Sequence, residues 1–310
     1  MTLDKARREG GKMNMIFSRS ERAPDKFKEV DFVADTTVKH YIVMRFFPKQ
    51  KKNYPHNVLD VEFLQKHTTL AANNALKSLA NQTNKNFEIV FLMHPRTFVD
   101  ESYKFIFDTL TEASPVPVHF PKNYNAFIED AYAKYDFVIQ SRMDFDDFLH
   151  KDAVADTQNQ VDNCENILLY GYCKGYLYWS ADGVLHRMFY PSRGIGHLGI
   201  LQSFIWKSSF ARQLPTIGPY FSGAHHKMKI RLKEFLEKNG VEFSESMFQQ
   251  NTTMNAFIYY RHEFSHFTVL HDGNSNDPWI VYQGEVTADE MTRKQLEEDY
   301  GFTYELKSIE

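Results

Sequence analysis

The segment QSRMDFDDFLH, residues 140–150, carries three carboxylates, Asp144, Asp146 and Asp147, directly behind the apolar run Phe137-Val138-Ile139. Asp144 and Asp146 are two apart, so in an extended segment their side chains leave the same side of the chain. Two carboxylates so placed can hold one hard divalent cation, magnesium or manganese, and leave coordination positions for diphosphate oxygens. Asp-X-Asp is a common tripeptide, and the competing reading is an acidic surface turn with Asp147 as N-cap of a following helix. Position favours chemistry, because ligands of open α/β sheets bind at the C-terminal ends of strands. Arg142, and Arg45 behind the apolar run Tyr41-Ile42-Val43-Met44, each close a strand-like segment. Guanidiniums there would set fixed positive charge beside phosphate, or else pair with the Asp cluster.

The elements that must position these residues alternate. Residues 41–44, 87–93, 116–120 and 137–139 read as strands. Between them, residues 59–79, with Leu64, Thr68, Ala71, Ala75 and Leu79 at helical spacing, and residues 103–110 and 124–135 read as helices. This order predicts an α/β fold with a largely parallel sheet over residues 41–147, helices on both faces, and the Asp cluster at a strand's C-terminal edge. Beyond it, 167–172, 175–180 and 184–190 are strand-like, with Asp182-Gly183 as a hairpin signal and Gly194-Ile195-Gly196 as a loop. Residues 224–239 form an amphipathic helix closed by Gly240, and 256–260 and 267–270 read as strands. Thr287 with Glu290 is a capping box for a last helix ending near Gly301. The charged stretch 1–37 reads as a flexible leader or arm.

Composition narrows the classes. The 310 residues are 43% apolar and 25% charged, enough apolar surface for a core. A net charge of −4 gives no global basic field for nucleic acid. No run of 18 apolar residues signals a transmembrane span, and the N-terminus lacks a signal-peptide core. Cys164 and Cys173 cannot build a disulfide framework, so a cytoplasmic location is expected. The 15% aromatic content fits a heavily aromatic core or sugar-stacking surfaces. The run YGYCKGYLY at 170–178 with Trp179 offers the same choice between an acceptor platform and a packed hairpin.

Ser78-Leu79-Ala80-Asn81-Gln82-Thr83, followed by Asn86-Phe87-Glu88-Ile89-Val90, resembles the "SL-x-x-Q-T … FE-I-V" opening of inverting glycosyltransferases of the GT-A fold. Arg142 to Asp147 resembles their "R-x-D-x-D-D". A narrower resemblance, over residues 40–270, is to a rhamnosyltransferase family of bacterial polysaccharide gene clusters. It rests on Arg45-Phe46, the Gln82-Thr83 turn, the Asp cluster and Arg261-His262-Glu263-Phe264-Ser265-His266 as "RH-x-x-S-H".

The resemblance implies a GT-A-like nucleotide-diphospho-sugar transferase fold, a mixed central sheet with helices on both faces, with residues 38–160 as the nucleotide-sugar half and 161–310 as the acceptor half of one domain. It implies metal-dependent transfer of a sugar, rhamnose by the family's name, from a nucleotide diphosphate sugar to a glycan or lipid-linked glycan in surface polysaccharide synthesis, with peripheral attachment to the inner face of the membrane as an option. Arg45, Gln82, Arg142 and Asp144 would bind the donor. Asp144, Asp146 and His262, with His266 as the other choice, would bind manganese or magnesium. Asp147 and Glu263 are candidate catalytic carboxylates; Asp182, Glu245, His225 and His226 are alternatives as base or phosphate contact. The sequence departs from the GT-A pattern at Met93-His94-Pro95-Arg96, where the family's second strand ends in acidic residues that bind the base and ribose.

Two other classes use the same residues. A metal-dependent phosphohydrolase or nucleotidyltransferase would need a second acidic motif, and none is evident. A non-catalytic carbohydrate-binding protein would exploit the aromatic residues, and its binding would survive chelation and the change Asp146→Asn.

Overall fold

The computed structural model describes residues 36–48, 57–181, 183–189, 200–214, 228–262, 281–286 and 290–304. The strands are β1 (Val38–Phe46), β2 (Glu88–Met93), β3 (Val118–His119), β4 (Phe137–Met143), β5 (Phe148–Leu149), β6 (Ile167–Trp179), β7 (Val184–Phe189), β8 (Gln202–Lys207), β9 (Phe248–Arg261) and β10 (Val281–Val286). They join one sheet in the order β10-β7-β6-β8-β4-β1-β2-β3, with β9 laid along β6 and β5. β4, β1, β2 and β3 run parallel, while β8 closes on β4 antiparallel, so the sheet is mixed. Both the early and the late stretch of the chain build this sheet, and the fold is the expected mixed α/β layer.

Alternation along the parallel strands fixes its two faces. Ile42, Met44 and Phe46 of β1, Ile89, Phe91 and Met93 of β2, and Ile139 and Met143 of β4 bury on one side. Tyr41, Val43, Val90 and Val138 bury on the other. The first face is covered by a helix α1 (Val61–Ala71), a π turn Ala72–Leu76, a short α2 (Lys77–Ala80), and α3 (Lys104–Ala113). The stripe Leu64, Thr68, Ala71, Ala75 and Leu79 is buried as its spacing predicts. The second face is covered by α4 (Tyr124–Lys134), through Ile128, Ala131 and Tyr132. After α5 (Ala153–Gln158) and α6 (Ser208–Ala211), α7 (Met228–Lys238) adds Met228, Leu232 and Leu236 there. Asp60 and Asn123 cap α1 and α4 by accepting the Phe63 and Ala126 amides. Helices therefore lie on both faces.

The late half differs in length from its sequence reading. The strand-like pieces 167–172 and 175–180 are one 13-residue strand, β6, and 256–260 is the end of the 14-residue β9. Long non-local pairing joins what local pattern separates: β9 runs parallel to β6 from Leu169↔Phe248 to Trp179↔Arg261. At Gly175 the strands are so close that a Cβ would stand 2.4 Å from the Phe257 ring. The last helix is α8 (Glu290–Tyr300), closed by Gly301 at φ +66°, whose N–H donates to Glu297 O as in an αL cap. Residues 1–35 of the expected leader at 1–37, the 194–196 loop, the 267–270 strand and Thr287 lie outside the described residues.

Candidate active site

Chain order 3-2-1-4 across the parallel strands makes the gap between β1 and β4 the point where the winding reverses. The C-terminal ends of two such strands form the crevice where α/β sheets take ligands. Met44 sits opposite Met143, so Arg45 and Asp144 are the first residues past the last pair. One Asp144 carboxylate oxygen faces two guanidiniums, Arg45 at 3.6 Å and Arg142 at 3.5 Å. Arg142 is buried, being the sixth residue of a fully buried β4, whereas Arg45 and Asp144 are about a third exposed at 27% and 30%. Burial, then Arg142, pulls the Arg45 pKa down, and Asp144 pushes it back up. Two guanidiniums thus face one carboxylate at the mouth of the crevice.

The chain turns at 145–146, so Asp144 and Asp146 do not project as neighbours on one extended edge. Asp146 pairs with His262, whose Nε2 lies 3.2 Å from its Oδ2. β5 pairs antiparallel with β9, Phe148 opposite Ile258, which brings the end of β9 against the Asp turn and leaves His262 just past it. The His262 ring stacks on Tyr260 and meets the edge of His67 at 5.9 Å. His67 is buried on α1 with Nδ1 donating to Phe63 O at 2.7 Å. A histidine inside an apolar helical stripe gives no local sign in the sequence of such a neighbour.

Two site readings require correction. Asp147 is buried, and its Oδ1 accepts the Tyr260 amide at 3.1 Å. Burial drives its pKa well above the carboxylate range, Asp146 and Asp144 push the same way, and Arg261 opposes them. A buried carboxyl that favours its protonated form is not a solvent-facing catalytic base. Nor does it cap a helix, since β5 follows it. Gln82 is buried too, and its amide is spent on the backbone: Nε2 donates to His150 O at 2.9 Å and Ser78 O at 3.3 Å, and Oε1 accepts from Val154 N at 3.1 Å. It ties the helix end to the segment after the Asp turn and has no amide group left for a donor.

Tyr170, Tyr172, Tyr178 and Trp179 are buried, in accord with the packed-hairpin reading of that run. Glu245 is exposed and paired with Lys229. His94 accepts the Arg96 amide and opens a 3-10 turn, with Arg96 exposed. Glu263, His266, Asp182, His225 and His226 lie outside the described residues. Among the described residues no three His, Cys, Asp or Glu side chains gather as a metal cage. Asp146 and His262 form a two-ligand edge, which fits a cation that completes its shell with substrate phosphate oxygens and water.

No known family pattern matches the sequence, and no curated protein matches it. Among solved structures the chain is similar to TarS of S. aureus in complex with UDP-GlcNAc, with 15% identity and a TM-score of 0.37 over 74% of this chain and 60% of that one. It is similar to a protein of Desulfovibrio desulfuricans assigned as a nucleotide-diphospho-sugar transferase, with 10% identity and a TM-score of 0.34 over 73% and 81%. It is also similar to HddC from Yersinia pseudotuberculosis, with 15% identity and a TM-score of 0.35 over 71% and 93%. The chain thus spans 60% of the TarS chain it matches.

Proposed function

We propose that this chain is a glycosyltransferase of GT-A type that takes a nucleotide diphosphate sugar as donor and requires a divalent metal ion, manganese or magnesium. The observation that carries the reading is that the turn closing β4 holds two polar groupings two residues apart: Asp144 with Arg45 and Arg142, and Asp146 with His262. A diphosphate needs fixed positive charge, and a carboxylate–imidazole edge suits a cation shared with its oxygens.

In this mechanism Arg45 contacts the diphosphate, and buried Arg142 holds Asp144 in place. An Asp144 carboxylate oxygen accepts a hydrogen bond from the donor ribose or sugar. Asp146 and His262 would hold the metal ion. When bound, that ion supplies Lewis-acid neutralisation of the leaving diphosphate. The acceptor, a glycan or lipid-linked glycan, needs a base to take its hydroxyl proton. Asp147 is too buried for that role; Glu263, next to His262 in sequence, is the carboxylate this reading favours, with Asp182 and Glu245 as alternatives. Rhamnose as the sugar, and surface polysaccharide as the product, rest on the resemblance of the four sequence elements alone.

The test is a panel of nucleotide sugars, scored by thermal shift with and without manganese and then by transfer to glycan acceptors. A ligand at 100 times its Kd adds about 2.7 kcal/mol of stability, so the true donor stands out. Equal shifts for all donors, or shifts that survive chelation, would overturn the reading.

A further inference from the structure

Asn74 lies in the π turn between α1 and α2 and is fully buried. Its amide is divided between two distant parts of the chain. Nδ2 donates to the backbone carbonyl of Asp146 at 2.8 Å, and Oδ1 accepts the Tyr304 hydroxyl at 2.7 Å. A π turn is one residue wider than an α turn, and such turns recur at functional sites. One residue of helix is about 100° of rotation, so the following turn faces a direction that an uninterrupted helix would not give it.

Tyr304 is held independently of that hydrogen bond. Its ring packs on Tyr260 at 4.7 Å, Phe302 at 5.4 Å and Tyr178 at 5.8 Å. Lys77 donates to Thr303 Oγ1, Asn81 to Glu298 O, and the Lys151 amide to Asp299 O. The end of α8 and the residues just after it are thus fastened on both sides of the Asp turn, and Tyr304 reaches toward Asp146 through Asn74.

Resting on the glycosyltransferase reading for its catalytic meaning, we propose that Asn74 and Tyr304 are positioning residues: acting in series, they fix the Asp146 backbone so that its carboxylate faces His262. The C-terminal segment is then part of the site's construction although it touches no reacting atom. A carbonyl pinned from behind leaves the Asp146 side chain little freedom, and a pre-organised ligand binds without the cost of ordering it.

The experiment uses the full chain as wild type, Y304F, N74A and the double variant, all metal-free. Y304F removes one oxygen and keeps the ring, so it folds even if N74A does not. Amide hydrogen exchange over residues 144–149 should quicken about fivefold in Y304F, the factor for one lost hydrogen bond. It should quicken at least as much in N74A, and the double variant should match N74A, with β1 and β2 unchanged. Unchanged exchange at 144–149 in Y304F, or effects that add in the double variant, would overturn the proposal. Manganese titration followed by electron paramagnetic resonance gives the functional readout: Y304F, still folded at the titration temperature, should bind the ion more weakly, and equal affinity would count against the pair. If wild type binds no manganese, the metal reading fails, while the exchange data still decide the positioning claim.

Discussion

Asp146 and His262 stand 3.2 Å apart in space and 116 positions apart in the chain. The short β5–β9 pairing joins the turn after β4 to the end of β9, so the pair exists only when both halves of the sheet are assembled. Asp146→Asn keeps the shape and one acceptor for His262 while removing the charge. Stability should fall by about 1 kcal/mol or less, as for ordinary substitutions outside a core. The manganese-dependent thermal shift with donor should vanish, and so should most transfer. His262→Ala should lose the same metal response. A near wild-type transfer rate in Asp146→Asn would remove the main support for the glycosyltransferase reading.

Arg45 and Arg142 share one oxygen of Asp144 but differ in exposure. Arg45→Ala should weaken binding of nucleoside diphosphates about tenfold or more, the value of one charge-assisted hydrogen bond, with little change in Tm. The loss should shrink as ionic strength rises. Arg142→Ala strips a buried cation from Asp144 and should lower Tm as well. Calorimetric titration of both variants with a nucleoside diphosphate at low and high salt separates the two behaviours. Equal affinities for Arg45→Ala and wild type would place the diphosphate elsewhere.

Gln82 is a stability residue on this structure. Gln82→Ala leaves the buried Val154 amide without its acceptor and takes one of two donors from the Ser78 and His150 carbonyls, so roughly 1–3 kcal/mol should be lost in urea unfolding. Donor affinity of the folded fraction should stay close to wild type. A variant that unfolds normally but no longer binds donor would restore Gln82 to the site.

Gly175→Ala probes the closest approach in the sheet. The new methyl would meet the Phe257 ring at 2.4 Å and its carbonyl oxygen at 2.5 Å, and backbone cannot retreat as a side chain tip does. Overpacking of this kind costs about 1–3 kcal/mol. A thermal melt at wild-type Tm would mean that β6 and β9 are less tightly apposed than described.

Local pattern carried the parallel half well. Spacing announced the Leu64-to-Leu79 stripe, apolar runs marked β1, β2 and β4, and glycines closed α7 and α8 where a positive φ is needed. The Asp turn was legible because acidic residues behind a buried run are conspicuous. What escaped the sequence is set by partners far along the chain. Asp147 and Gln82 look like solvent-facing polar residues, and only the assembled β9 and the 150–154 backbone explain their burial. The π turn at Asn74 has no composition of its own, since Ala72 to Leu76 would serve an α-helix equally well. The polar residues inside β1, β4 and β8 were likewise opaque, and they carry a pH effect of their own.

His40 is buried in β1 between Gln158 and Ser141. Gln158 Nε2 can only donate, so His40 Nδ1 accepts at 3.2 Å, and the ring proton must sit on Nε2 and go to Ser141 Oγ at 2.7 Å. Ser203 donates to Leu201 O, which leaves Ser141 as donor to Ser203 at 2.6 Å. Every member is satisfied with a neutral imidazole, and a second ring proton would point at the donor N–H of Gln158. Burial accordingly pushes the His40 pKa down to about 3. In the unfolded chain the same ring titrates near about 6.5. Below that pH the unfolded state takes up a proton that the folded state refuses, so this contribution to stability is whole above about pH 6.5 and is lost progressively as pH falls toward about 3. By pH 5 the loss amounts to roughly 2 kcal/mol. His40→Gln cannot titrate, so its stability relative to wild type should improve by roughly that amount between pH 7 and pH 5, whatever it costs at pH 7. Urea unfolding of both proteins at the two pH values measures the difference, in which the remaining histidines cancel. A wild-type-minus-variant gap that is the same at pH 5 and pH 7 would mean that His40 is protonated in the folded protein, and the chain of donors from Gln158 to Leu201 would have to be redrawn.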